Sequence, residues 1–376
     1  MKKGRVVVAM SGGVDSSVAA YLLAREGYEV VGITMKLWDE DLSVGSNRSN
    51  GCCSLEDVED ARRVCQIIGA PHYVMDFQKE FQEHVIDYFS SEYQKGRTPY
   101  PCLACNDKIK FDFLMRKADT LGFDFVATGH YARLSRGSEG VRLLKGLDNS
   151  KDQSYVLFNL RPSQISRLML PVGWYDKVEI RQLAKDAGLP VADKPDSQDI
   201  CFIPQGDYRS FLSKELNPSP GEIVDSSGRV LGEHKGVEFF TVGQRRGLGL
   251  NSERPLFVIN VDSESKRVVV GNAEELLEDS LWASDVNFIS GRTPEGPIEV
   301  DAKIRYKSIT SRALVDYRAG WALVEFQESQ RAITPGQAVV FYNGEEVLGG
   351  GFIEGSASKA GRLSWNSVSQ PSRIIP

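Results

Sequence analysis

The polarity pattern of the chain changes character a little past its midpoint. From the start to about Pro195, short apolar runs alternate with stretches whose apolar positions recur every three or four residues. Val6 to Met10, Val30 to Met35, His72 to Asp76 and Phe125 to Gly129 predict strands; Ser17 to Arg25, Glu56 to Ile68 and Asp107 to Leu121 predict helices. Ser54 and Asp57 carry capping-box spacing ahead of the second helix. Such alternation predicts an α/β domain with a parallel sheet covered on both faces, whose ligands bind beyond the carboxyl ends of its strands. The polar, proline-broken stretch Asp193-Lys194-Pro195-Asp196-Ser197 reads as a linker or mobile loop. Beyond about Gly206 turns become dense. From roughly Ile298 the period drops to two, in Val300 to Tyr306, Ala313 to Tyr317, Ala322 to Phe326, Ala338 to Tyr342 and Val347 to Phe352, which predicts a small antiparallel β-barrel. The expected division is a nucleotide-binding domain over 1–206, a small central domain over 207–278, the barrel over 279–360 and a flexible Ser/Pro-rich tail over 361–376.

Composition narrows the classes. A chain of 376 residues holds more than one core, and its formal net charge of −6 gives no global attraction for a polyanion, so nucleic acid would have to be held by local basic patches. No apolar run approaches the ~20 residues of a membrane span, which makes the cytoplasm the expected compartment. Six unevenly spaced cysteines do not form a secreted disulfide framework.

The strongest local signal is Ser11-Gly12-Gly13-Val14-Asp15-Ser16, set between the first strand and the first helix. A helix start offers unpaired N–H groups and a partial positive charge, and glycines let the backbone close on an anion. An ordinary turn can hold two glycines as well, but the flanking elements favour a phosphate cradle. The loop lacks the Lys-Ser/Thr ending of kinase-type phosphate loops. It resembles instead the pyrophosphate loop of enzymes that cut ATP between its α- and β-phosphates.

Cys102-Leu103-Ala104-Cys105 places its second thiol at or just before the expected helix start, where the dipole favours a thiolate. Cys201 lies beyond the linker. Half of a zinc site, plain buried thiols or coincidence are the competing readings; a closed zinc site needs four ligands, and with no second CxxC the others would have to come from Cys52, Cys53, Cys65 or a His. Cys52, Cys53 and Cys65 read as structural, Cys65 falling on the apolar stripe of its helix. Between Lys303 and Arg318, five basic residues face a single acid, Asp316, with Tyr306 and Tyr317 interleaved, a pattern suited to phosphate contact and base stacking. A solvated strand face would have the same composition.

Seven motifs in order, Ser11 to Ser16, Cys105-Asn106, Gly129-His130-Tyr131, Gly146-Leu147-Asp148, Lys151 to Tyr155, Cys201-Phe202-Ile203 and Phe240 to Arg246, are together similar to the bacterial tRNA-specific 2-thiouridylase (MnmA) family. The resemblance implies ATP and Mg²⁺ as cofactors. Ser11, Gly12, Gly13, Val14, Asp15 and Ser16 would hold the phosphates, Asp15 through Mg²⁺. Ala9, Met10, Met35 and Gly129 would lie along the rest of the nucleotide. It implies Cys105 as the attacking thiol and Cys201 as the persulfide carrier, with an off-cycle disulfide between them. Tyr100, Pro101 and Cys102 would meet the target base, and His130, Lys151, Asp152, Gln153, Arg305, Tyr306 and Gln337 would contact tRNA. Its implied partners are tRNAs for Lys, Glu and Gln with a wobble uridine, and a persulfide donor such as a cysteine desulfurase or relay protein. Some family members carry aspartate where Cys102 stands. That extra thiol leaves two routes open: a metal-free persulfide, or a [4Fe–4S] cluster on Cys102, Cys105 and Cys201. The alternatives to a thiouridylase are a pyrophosphate-loop ligase or amidotransferase acting on a small metabolite, and a non-catalytic RNA-binding protein.

Overall fold

The computed structural model describes residues 3–38, 54–196, 200–203 and 207–357, with Arg362 and Trp365. The chain forms two compact units, one of Met1–Ile86, Pro101–Asp207 and Glu345–Val347, the other of Asp87–Tyr100, Tyr208–Gly344 and Leu348–Pro376.

The first unit is built on a five-stranded parallel sheet in the order β3-β2-β1-β4-β7, with β1 Arg5–Ala9, β2 Glu29–Lys36, β3 His72–Asp76, β4 Phe125–Ala127 and β7 Leu168–Met169. Val6, Val7 and Val8 on the central strand are wholly buried, as a strand covered on both faces requires. Helix α1, Val14–Arg25, packs Val14, Val18 and Leu22 into the same core as Ile180 and Ala184 of the helix Lys177–Asp186. Helix α2, Leu55–Ile67, starts with the expected capping box of Ser54 and Asp57 and buries Ala61, Val64 and Cys65. The chain runs outward through β2 and β3 and then returns to β4 on the other side of β1. The order therefore reverses between β1 and β4, the place where parallel sheets open a crevice for ligands.

Two features of this unit differ from what the polarity pattern predicts. The helical run expected from Asp107 begins at Pro101 and passes from α-helix (Pro101–Ala104) through a π-helical stretch (Cys105–Phe113) to α-helix again (Leu114–Thr120). An antiparallel hairpin, β5 Ala132–Gly137 and β6 Gly140–Lys145, has no counterpart in that pattern; β6 also pairs with Glu346 and Val347.

The second unit holds a four-stranded sheet, β10-β11-β8-β9, from β8 Gly221–Asp225, β9 Val230–His234, β10 Phe257–Asp262 and β11 Arg267–Gly271. It also holds an antiparallel barrel of β12 Leu277–Phe288, β13 Ile298–Lys303, β14 Ser311–Arg318, β15 Trp321–Arg331, β16 Ala338–Asn343 and β17 Glu346–Ser356, closed by pairing of β12 with β17. Closure leaves no open strand edge in the barrel. Its core is Leu281, Val300, Val315, Val324, Val339, Phe341 and Ile353 with their neighbours. The first barrel strand, β12, is hidden in the sequence because register shifts between Glu278 and Ser280 and between Ser284 and Asn287 interrupt its two-residue alternation.

The expected flexible tail is corrected at one residue. Trp365 is wholly buried against Trp282, with ring centroids 5.0 Å apart, and its indole N–H donates to Asp316 at 2.8 Å. The guanidinium of Arg318 lies 4.9 Å from its ring. Trp365→Ala should destabilise the second unit by about 3–5 kcal/mol in denaturant titration, the usual cost of deleting a buried tryptophan.

Cys65 fills the space beside Gly32, where a Cβ would fall 2.4 Å from its sulfur, and burial pushes its thiol up to about 11. An unfolded thiol ionises near about 8.5, so the folded form keeps a proton that the unfolded form loses, and stability falls between about pH 8.5 and pH 11. Native protein treated with iodoacetamide near neutral pH should leave Cys65 unmodified by peptide mapping. Denatured protein should modify it fully.

Candidate active site

The glycine loop leaves β1 at the sheet's reversal point. Met10 N–H donates to Ile33 O at 2.8 Å, and Ser11 N–H donates to Ser16 Oγ at 3.2 Å, which folds the loop over the start of α1. The N-cap is Gly13, with no side-chain cap, so the first-turn amides of this 12-residue helix receive no capping bond. Gly12 has φ +72°, and a Cβ there would lie 2.4 Å from Asp57 O; a Cβ on Gly129 would lie 2.6 Å from Ser16 N. Anion access is thus not the only use of these glycines. Both also let protein backbone close on protein backbone: Gly12 against α2, Gly129 against α1. Ala9, Met10, Val14 and Ser16 are buried, so a nucleotide would meet them chiefly through their backbone; Met35, at the carboxyl end of β2, is also buried.

Charged side chains that no sequence motif marks surround the loop. Lys194 Nζ donates to Gly12 O at 3.1 Å and pairs with Asp57 at 2.7 Å and Asp60 at 2.6 Å. Burial opposes its charge, but the two carboxylates hold its pKa above the ordinary lysine value. Lys177 Nζ pairs with Asp15 at 2.7 Å and with Asp196 at 2.9 Å, and Tyr131 donates its hydroxyl proton to Asp15 at 2.7 Å. Burial raises the Tyr131 pKa first and the Asp15 charge raises it further, which keeps that hydroxyl protonated. Asp196 also receives Lys151 at 2.8 Å and Arg181 at 2.9 Å. Burial works against its charge, yet bonds from Lys151 and Lys177 bring its carboxyl down to about 2. The expected linker is thus, at Lys194 and Asp196, an ion-paired strap; Ser197, Gln198 and Asp199 lie outside the described residues. Lys177 opens an amphipathic helix and Lys194 sits in a breaker-rich stretch, and neither context marks a ligand in sequence.

Cys102, Cys105 and Cys201 are half-buried thiols, none in a disulfide. Because the helical run begins at Pro101, the residue in its first turn is Cys102, and Cys105 stands at the entry to the π-helical stretch. Cys105 is therefore not at a helix start, where the polarity pattern predicts it to be. Asn106, buried next to it, donates to Val156 O at 3.3 Å. The Cys201 segment is anchored by Phe202, whose ring is 5.7 Å from that of Phe81, and by buried Ile203. Among the described residues, no three His, Cys, Asp or Glu side chains converge as metal ligands. Cys102, Cys105 and Cys201 thus do not form a cluster-binding set in this arrangement, and the [4Fe–4S] expectation gains no support. Cys52 and Cys53 lie outside the described residues.

The residues expected to contact RNA fall into both units. In the first, Lys151 is paired with Asp196, Asp152 accepts from the amides of Gly146 and Ser154, and Gln153 accepts from Tyr131 N–H at 2.9 Å. His130 is buried, with Nδ1 bonded to Thr128 Oγ1 at 2.6 Å; burial drives its pKa well below the ordinary value and keeps it neutral. It offers no open charged face to a polyanion. Pro101 is buried at the start of its helix. In the second unit, the Tyr100 and Tyr306 rings lie 6.0 Å apart, Lys303 sits over Tyr306 at 5.9 Å, and Gln337 donates to Thr98 O at 2.7 Å. Arg305 is held by the carbonyl of Ala332 and by Thr334 Oγ1. The basic stretch is less available than its composition implies. Arg312 pairs with Asp301, Arg318 binds Asp316 and the carbonyl of Trp365, and Tyr317 packs edge-on against Phe288.

Three family models match in order: a tRNA methyl transferase HUP domain over residues 4–205, a tRNA methyl transferase PRC-barrel domain over 209–272, and an aminomethyltransferase beta-barrel domain over 278–353. The chain is 50% identical over 358 residues to a tRNA-specific 2-thiouridylase MnmA of Carboxydothermus hydrogenoformans, covering 93% of this chain and 97% of the relative. It is 50% identical over 361 residues to that of Geobacter metallireducens (94% and 98%) and 49% identical over 355 residues to that of Desulforamulus reducens (93% and 97%). Identity at this level across nearly the whole length, with all three regions matched in order, shows that the chain belongs to the tRNA-specific 2-thiouridylase (MnmA) family.

Proposed function

We propose that the chain uses ATP to replace the C2 oxygen of the wobble uridine of tRNA with sulfur, releasing AMP and pyrophosphate. The observation that carries this reading is the uncapped start of α1 behind the glycine loop, flanked by the ammonium groups of Lys177 and Lys194. Amides and ammonium groups so placed suit a polyphosphate and stabilise charge developing on departing pyrophosphate. Because both lysines are engaged with carboxylates, a bound nucleotide would compete with Asp15, Asp57, Asp60 and Asp196 for them. Mg²⁺ would enter with the nucleotide; Asp15 is the acidic side chain of the loop, and it would exchange Lys177 for the metal.

A uracil C2 carbonyl is a poor electrophile. Attack of its oxygen on the α-phosphate expels pyrophosphate and converts that oxygen into a leaving group. The outer sulfur of a persulfide on Cys201 then attacks C2 and AMP departs. The Cys105 thiolate attacks the inner sulfur, breaking the S–S bond, leaving the thiocarbonyl on the base and forming a Cys105–Cys201 disulfide that a dithiol reductant reopens. Sulfur would arrive from a persulfide donor protein such as a cysteine desulfurase or relay. The tRNAs would be those for Lys, Glu and Gln, gripped by Arg305, Tyr306 and Gln337 from residues 207–360 and by Tyr100 of the segment Asp87–Tyr100, with the rest of residues 1–206 housing the chemistry. Among the described residues no helix is long and apolar enough to cross a membrane, and the place of action would be the cytoplasm.

Incubation with ATP, a persulfide donor and unmodified tRNA should give 2-thiouridine by nucleoside mass spectrometry, in an amount limited by tRNA. Pyrophosphate release that ignores tRNA would point to the metabolite ligase instead. Cys105→Ser and Cys201→Ser should each lose thiolated product about a thousandfold or more while binding tRNA normally, as expected when a covalent step is removed. Lys194→Met and Lys177→Met should raise the KM for ATP about 10- to 100-fold, the weight of one charge-assisted hydrogen bond, and an unchanged KM would remove both lysines from the nucleotide site.

A further inference from the structure

The second unit contains a cavity of ≈ 700 Å³ that neither the nucleotide site nor the thiol chemistry uses. Its wall brings together Tyr93 and Thr98 of the segment Asp87–Tyr100, the helix Tyr208–Glu215, the loop from Thr241 to Gly247, and the Arg305, Thr334 and Gln337 side of the barrel. The loop belongs to the Phe240 to Arg246 motif, which the reaction leaves without a role.

Charge is the informative property of this cavity. Arg209, Arg246 and Arg305 all line it, and none of the described lining residues is Asp or Glu. Two of the guanidiniums are steadied by neutral acceptors: Arg209 donates to Phe239 O at 3.2 Å, and Arg305 donates to Thr334 Oγ1 at 2.7 Å. Among the described residues Arg209 and Arg246 make no ion pair with a carboxylate, in a chain whose net charge is −6. Gathering three like charges in one concavity costs free energy unless an anion offsets it. A guanidinium presents a planar fork matched to phosphate oxygens.

The remaining polar groups are poor base readers. Gln244 spends its amide on closing its own loop, accepting from Thr241 N–H at 3.1 Å and donating to Arg246 O at 2.9 Å, and the Gln337 amide donates to Thr98 O. Tyr93 and Tyr208 stack on each other, centroids 5.7 Å apart and 22° between planes. What is left to offer a ligand is mainly guanidinium.

We infer that this cavity is a backbone phosphodiester site for the tRNA, separate from the reacting uridine, in which Arg209 and Arg246 join Arg305 to position the RNA without reading its sequence. The inference rests on tRNA being the substrate. It would give an acidic protein a local concavity whose lining carries three arginines and no acid, against which a polyanion can settle.

The test is fluorescence anisotropy of labelled unmodified tRNA with the wild-type chain, Arg246→Gln, Arg209→Gln/Arg246→Gln and Arg246→Lys. Titrations would run from about 50 to about 300 mM salt, and melting curves would verify that each variant is folded. The expected result is a tRNA affinity lowered about tenfold per arginine, with the log–log salt slope shallower by about 0.7–0.9 for each phosphate no longer neutralised. The lysine variant should keep most of the slope, and ATP affinity should not move. Wild-type affinity and slope in the double variant, while the wild-type chain binds tRNA, would overturn the cavity assignment and leave the thiouridylase reading intact. Failure of the wild-type chain to bind tRNA would overturn both. A control arm adds inorganic phosphate or a mononucleotide: saturable protection against melting that depends on Arg246, with no effect of Arg246→Gln on tRNA binding, would reassign the cavity to a small phosphorylated ligand and overturn the RNA assignment.

Discussion

The contact that holds the first unit's glycine loop in shape is the bridge from Lys194 to Gly12 O, Asp57 and Asp60. One ammonium group ties the glycine loop to the start of α2 and to the strap that leads toward Cys201. The bridge is possible because Gly12 has no Cβ, which lets the loop settle directly against the α2 backbone. A half-buried lysine that shares two carboxylates is held in place strongly, yet every partner it has is one that a phosphate can replace. The same holds for Lys177 between Asp15 and Asp196. The loop is therefore kept shaped by internal ion pairs, and nucleotide entry would be an exchange of counter-charges in an already formed crevice.

Under the proposed mechanism, that arrangement would join nucleotide binding to sulfur delivery. Asp196, with three cationic partners, lies five residues ahead of Cys201 in the sequence, and Phe202 and Ile203 pack beyond that cysteine. A phosphate that drew Lys177 away would loosen one tie of Asp196, ahead of the proposed sulfur carrier Cys201. Cys105, by contrast, rises from a helical run whose π-helical turn re-aims its side chains, a distortion frequent where a helix carries function.

Much of this is legible in the residues themselves. The all-apolar Val6 to Val8, the Ser54 and Asp57 cap and the period-two strands after Ile298 each follow from a local rule that tertiary structure does not override. What is not legible depends on partners distant in sequence. Lys194 and Lys177 look like ordinary surface lysines until folding brings them to Asp57 and Asp15, 137 and 162 positions away. Arg312 and Arg318 look like an RNA-binding stripe until Asp301, Asp316 and Trp365 take them up. The helical run starts earlier than periodicity predicts because Pro101, a good first-turn residue, looks in sequence like part of the preceding loop. The hairpin β5–β6 and the bulged β12 lack clean alternation, so periodicity passes over them.

The central claim is that ATP turns the uridine oxygen itself into the leaving group, and following that oxygen tests it most directly. Unmodified tRNA carrying a heavy oxygen isotope at C2 of the wobble uridine would be thiolated with ATP and a persulfide donor, and the AMP analysed by mass spectrometry. The account predicts one heavy oxygen in AMP for each 2-thiouridine formed. Unlabelled AMP alongside thiolated tRNA would show that the oxygen leaves by another route, and would contradict it.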